Sequence, residues 1–300
     1  MLNLLLELGP CLIGGLWLGR RYPALPQQLA PPLLRWGIPI SITGLLLKGG
    51  LQTGNASAAL ITLLITATGL LLTRHWQLLS RALPQRSLQL GAVVGNTAYF
   101  GLPVAIALLP PQALSFSITY DLVGTLVTWG LGPLLLGDQP RSWRQQIEPV
   151  LHSPVVRALL VALPLALSPW SAKLAQWLWL PARLVLWLML LLVGMRLAGL
   201  LQQPRQTPPQ AGLALAVLLK LLLLPALVLA MSLALALPPV LRQALVLQAA
   251  APTAMSVLLL AEASQQKGRE TIPAARLVLW STLLALLSVP LWWWLLARIK

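Results

Sequence analysis

The sequence predicts an all-α, polytopic membrane protein: ten transmembrane helices in two five-helix halves of opposite orientation, with helices four and nine interrupted. Three observations carry this expectation. First, 58% of the 300 residues are hydrophobic and only 9% are charged, where a soluble domain carries about 25% charged residues. Second, ten apolar runs follow one another, most of them near the roughly 20 residues that a bilayer crossing requires. Third, two of those runs hold glycine, proline and small polar residues at their centres. Lipid-exposed helices do not tolerate such a break, because each freed backbone group needs a partner.

The runs lie at 3–19, 33–51, 57–73, 88–109, 113–136, 154–169, 174–200, 212–237, 240–262 and 273–297. The first has Glu7 within it and Arg20-Arg21 after it, an order that suits a retained helix rather than a cleaved leader. The odd-numbered connections, together with the run ends that border them, hold 14 of the 21 Lys and Arg residues. The positive-inside bias therefore places those connections in the cytoplasm and both termini on the extracytoplasmic side of the cell (inner or plasma) membrane. This distribution also accounts for the net charge of +15, which sets topology rather than marking a nucleic-acid partner. Trp292-Trp293-Trp294, near the end of the last run, reads as an interfacial anchor.

With no intervening soluble domain, the chain divides into a first repeat at 1–137, a cytoplasmic connection at 138–153 and a second repeat at 154–300. Five helices per half make the halves inverted relative to each other. Thr125 precedes Pro133 by eight residues in the fifth run, and Thr282 precedes Pro290 by eight in the tenth. Each of these runs follows one of the two interrupted runs, as an inverted repeat requires.

The interruptions are Gly95-Asn96-Thr97-Ala98-Tyr99-Phe100-Gly101-Leu102-Pro103 and Gln248-Ala249-Ala250-Ala251-Pro252-Thr253-Ala254-Met255-Ser256. Gly95, Gly101, Pro103 and Pro252 are the expected helix breaks. A helix that starts inside the membrane exposes unpaired N–H groups and about half a positive charge at its N-terminus, which suits a carboxylate without any lysine. Asn96, Thr97, Tyr99, Thr253, Ser256 and Gln248 could add neutral donors, which bind an anion without holding it too tightly to release. In the competing reading the prolines are simple kinks, and the small residues serve close helix packing. Two charges stand deep within spans: Asp121, too short to reach water, and Lys220, which either joins Asp121 in an ion pair or snorkels to the cytoplasmic surface. Asp121 is expected to hold the bundle's shape or to carry a proton during turnover. Arg183 is expected to anchor structure.

No nucleophile elbow, zinc-binding His-Glu pair or phosphate loop occurs, so the chain does not read as an enzyme. Cys11 is the lone cysteine, and His75 and His152 stand apart in loops. No cofactor and no metal site is expected.

Gly95-Asn96-Thr97 with Gly101-Leu102-Pro103, Tyr120-Asp121-Leu122, Ala251-Pro252-Thr253-Ala254 with Leu260-Ala261-Glu262, Ser281-Thr282-Leu283 and Pro290-Leu291-Trp292 together resemble the auxin efflux carrier family. That family includes plant auxin carriers and bacterial permeases for malonate, malate and other small carboxylates. The resemblance covers essentially the whole chain. It implies ten spans as an inverted 5+5 repeat, with helices four and nine broken at their prolines and crossing. It also implies an elevator movement in which spans three to five and eight to ten travel against a scaffold of spans one, two, six and seven. Two departures stand out. Ser256 occupies a position where bacterial members commonly have asparagine, and the third span lacks the Asp–Lys pair of the plant carriers, so auxin itself does not carry over.

The expected activity is secondary transport of a small organic anion such as a carboxylate, bound at the two interruptions, in contact with the lipid bilayer and with no nucleic acid. A homodimer is compatible with the sequence. Two alternatives stay open: a carrier of a neutral or amphipathic solute in the same fold, and a non-transporting membrane receptor or assembly subunit.

Overall fold

Leucine-rich runs without strand-like alternation fold as helices because, in hydrocarbon, a helix satisfies its own backbone groups. The structure, a computed structural model, is described over residues 2–136, 154–202, 212–264 and 266–299. The connection expected at 138–153 lies outside the described residues. In chain order the helices are α1 (Leu2–Arg21), α2 (Leu25–Gly49), α3 (Asn55–His75), α4 (Gln77–Ala82), α5 (Arg86–Gly91), α6 (Thr97–Leu108), α7 (Gln112–Leu135), α8 (Pro154–Ala166), α9 (Ser171–Gln202), α10 (Leu213–Ala234), α11 (Pro239–Ala249), α12 (Met255–Ala263) and α13 (Lys267–Leu296). Five of them, α2, α3, α9, α10 and α13, are long and apolar enough to cross a membrane. Among the described residues the β-structure is one isolated bridge.

Prolines shape the helix interiors by a common device. A π-turn covers Leu33–Gly37 ahead of Pro39, Thr97–Gly101 ahead of Pro103, and Leu219–Leu223 ahead of Pro225. In each, the residue just before the proline donates its N–H five residues back: Ile38 to Leu33, Leu102 to Thr97, Leu224 to Leu219. Widening the turn makes room for the pyrrolidine ring, which in a regular helix clashes with the carbonyl four residues earlier. Pro225 also has no N–H to give the Leu221 carbonyl. The indole N–H of Trp292 on α13 supplies that bond at 2.8 Å. This corrects the expectation for Trp292, which is buried inside the bundle rather than anchored at the interface. Trp294 is 49% exposed and stacks under Arg298 at 3.7 Å, the arrangement expected of an anchor.

One group of helices forms around α9, which packs against α1 and α2, while α8 packs against α2. The α1–α9 approach is made by glycines. A Cβ on Gly15 would stand 2.9 Å from the Gly194 Cα, and one on Gly19 would stand 2.6 Å from the Met195 Cα. Gly15 and Gly19 form the G-x-x-x-G spacing by which membrane helices bring their backbones together. Glu7 on α1 pairs with Arg183 on α9 and accepts the Trp187 indole N–H at 2.6 Å, the anchoring role expected of Arg183. A second group forms around α7, which lies against α3 and α11, and around α13, which lies against α12 and α5. Glu270, in the first turn of α13, accepts the backbone N–H groups of Ser87 at 2.7 Å and Arg86 at 3.3 Å. It thereby caps α5, whose first amides would otherwise be orphaned.

Candidate functional site

Neither α5–α6 nor α11–α12 is a continuous rod. The chain between Gly91 and Thr97 runs against the chain between Ala249 and Met255, and the two join as an antiparallel bridge centred on Gly95 and Thr253. The Asn96 N–H donates to the Pro252 carbonyl at 2.6 Å, and the Ala254 N–H donates to the Val94 carbonyl at 3.1 Å. Each stretch thus satisfies backbone groups that the other leaves open, as buried non-helical backbone must.

The side chains around this bridge hold it rather than face open space. Thr253 donates its hydroxyl to the Gly91 carbonyl at 2.9 Å and its N–H to the Ser281 hydroxyl at 3.0 Å. Lys220 is fully buried and donates Nζ to the Ala249 carbonyl, the last residue of α11, at 2.6 Å. The snorkelling reading of Lys220 is therefore corrected: its ammonium sits on the C-terminal end of α11, where a cation complements the helix dipole. Nor does it pair with Asp121, since no N–O contact of 4.0 Å or less joins them. Gly95 leaves room for this lysine, because a Cβ there would stand 3.1 Å from Nζ. Gln248 is fully buried against Gly101, with no hydrogen-bond partner for either amide atom.

A cavity of about 340 Å³ opens beside the bridge. Of the residues singled out from the sequence, Gly95, Asn96, Thr97, Tyr99, Asp121 and Ser256 line it. Pro103, Pro252, Thr253, Gly101, Gln248 and Lys220 do not. Gly101 and Pro103 lie within α6, beyond the interruption and at the end of a π-turn. The wall formed by the first turns of α6 and α12 is the one expected from the sequence. Thr125 and Trp129 of α7 and Leu34 and Ile38 of α2 were not anticipated.

The two helix starts are not equivalent. At α6, Asp121 accepts the Thr97 hydroxyl at 2.5 Å and lies beside the Ala98 amide. Asp121 is 2% exposed, and its Oδ2 has no partner of hydrogen-bond geometry. An internal carboxylate thus already stands at that amide end. At α12 no side chain caps the first turn, and Ala254, Met255 and Ser256 border the cavity.

Arg196, whose place near a run end makes it one of the charges that the positive-inside bias assigns to the cytoplasm, is a cavity residue. Arg196 belongs to α9, lines the cavity, and has no hydrogen bond or ion pair among the described residues. The signal was present: Arg196 falls inside the apolar run 174–200, about one turn from its end.

Residues 142–293, about half of the chain, match the family model described as membrane transport protein. No curated protein matches the chain.

Proposed function

The chain belongs to the membrane transport protein family, that of the auxin efflux carriers, and on that premise we propose that it is a secondary transporter of a small organic anion bound beside the Gly95–Thr253 bridge. The observation that carries this reading is the cavity itself. It lies against two helix starts inside an apolar bundle, and the start of α12 is open to it. Amide N–H groups at a helix N-terminus, with Asn96 and Ser256 beside them, make an anion site of moderate strength, suited to release as well as capture.

In this proposal the interrupted pairs α5–α6 and α11–α12 are spans four and nine of a ten-span inverted repeat. The segments 1–137 and 154–300 are the two halves, joined by a cytoplasmic connection at 138–153. The α9-centred group serves as the scaffold and the α7–α13 group as the moving part of an elevator. Packing supports that division, since α1, α2, α8 and α9 contact one another and the bridge lies between helices of the other group. The distribution of Lys and Arg supports an extracytoplasmic position for both termini.

The test is reconstitution into proteoliposomes with small carboxylates as candidate cargo. Electrogenic anion flux that falls at least tenfold in Asn96→Ala and Ser256→Ala is the expected result. Electroneutral flux of an uncharged solute would replace the cargo class. Binding without flux would make the chain a receptor. Unchanged flux in both variants would move the site away from the bridge.

A further inference from the structure

Arg196 and Asp121 line one cavity, the first without a hydrogen-bond or ion-pair partner among the described residues and the second with one carboxyl oxygen unpartnered. Arg196 reaches in from α9, a helix that carries no part of the bridge, and has no hydrogen-bond or ion-pair partner among the described residues. Asp121 enters from α7, with Oδ2 unpartnered and buried. The hydrogen bond that Asp121 makes, from the Thr97 hydroxyl to Oδ1, uses the carboxyl group as an acceptor. Among the described residues, no acidic residue other than Asp121 lines the cavity, and Arg196 is its one basic residue. Much of the remaining wall is apolar, with Trp129, Met255, Leu192 and Leu259 among it.

Resting on the reading that an organic anion occupies this cavity, we infer that Arg196 is its charge-selecting residue and that the site takes monocarboxylates with an apolar body, not dicarboxylates. One guanidinium and one open amide end suffice for a single carboxylate, which a planar fork of donors matches in a bidentate manner. A second carboxylate would have to lie in the apolar wall or approach Asp121. Burying an unpaired charge and placing like charges together are both strongly unfavourable. Asp121 thus takes the α6 amide end away from the cargo and leaves the α12 end and Arg196 to bind it.

The purified full chain in detergent is tested by thermal stabilisation with two charge series on fixed skeletons: benzoate, benzamide and terephthalate, then hexanoate, hexanamide and adipate. The wild-type chain is expected to be stabilised by benzoate and hexanoate but not by the amides or the dianions. Arg196→Gln should weaken monocarboxylate binding by roughly ten- to a hundredfold, the range for a lost charge-assisted bond. Arg196→Lys, which keeps the charge without the fork, should fall between the two. Asp121→Asn should let the dianions bind.

Failure to stabilise with either monocarboxylate overturns the inference. So does binding of dianions as tight as that of monocarboxylates. Should Asn96→Ala and Ser256→Ala abolish binding while Arg196→Gln leaves it intact, the anchoring role is wrong and the bridge site stands. Should all three leave it intact, the bridge site itself is wrong.

Discussion

Thr97 donates its hydroxyl to Asp121 Oδ1 at 2.5 Å, and this hydrogen bond ties the start of α6 to the middle of α7. Both residues are buried. Asp121→Ala should cost about 2 kcal/mol, the loss expected when a buried hydroxyl is stripped of a charged acceptor. Asp121→Asn keeps an acceptor oxygen at the same place and should cost about half as much. Thermal unfolding in one detergent, with both variants measured beside the parent, checks the order.

The α1–α9 contact predicts a sharp contrast between adjacent glycines. A Cβ at Gly15 meets the Leu191 carbonyl and the Gly194 Cα, both backbone, whereas one at Gly14 would touch only the Leu191 side chain at 3.6 Å. Gly15→Ala should destabilise the chain by about 1–3 kcal/mol through overpacking. Gly14→Ala should be near neutral. Equal melting temperatures for the two variants would show that the helices stand farther apart than described.

Trp292→Phe separates packing from hydrogen bonding. The ring stays apolar, but the Leu221 carbonyl loses its donor, and Pro225 cannot replace it. A loss of about 1–2 kcal/mol is expected for a carbonyl left unsatisfied in an apolar interior. Trp294→Phe shrinks an exposed ring instead and should lose no more than about 1 kcal/mol. Melting curves of the two single variants decide.

Glu270→Ala removes the cap on α5. Two backbone N–H groups then lose their acceptor, a change worth about 1–2 kcal/mol at a helix N-terminus. Amide exchange should accelerate first at Arg86 and Ser87, which hydrogen-exchange mass spectrometry resolves to that segment. Protection unchanged there would mean that another group caps the helix.

Helicity was legible from composition: the runs expected at 57–73 and 273–297 are the helices Asn55–His75 and Lys267–Leu296. That the two polar stretches contain non-helical backbone followed from glycine, proline and asparagine packed into apolar runs. Where the backbone departs from helix was harder to read. Proline spacing pointed at Pro103, yet the π-turn absorbs that proline, and the open stretch lies before Thr97. Pairing across the chain was not readable at all. Nothing in a one-dimensional string says that Asp121 meets Thr97, that Lys220 meets Ala249, or that Trp292 answers the carbonyl Pro225 leaves behind. Arg196 shows the opposite failure. It lies inside a span, but an arginine near a span end is explained equally well by topology, so position alone does not mark it as a cavity residue. The four-residue spacing of Gly15 and Gly19 is likewise plain in the sequence, but the helix they pack against is not.

Lys220 has a bearing on how the chain is made. It lies in the π-turn of α10, and its acceptor, Ala249, is 29 residues farther along. A newly synthesised α10 entering lipid alone would carry a bare ammonium about two turns from its start, a costly placement in hydrocarbon. The Ala249 carbonyl relieves it only once α11 has arrived. Biogenesis therefore favours delivering α10 and α11 into the bilayer as a pair, so that a ribosome pausing between them leaves the first half-inserted and exposed to quality control.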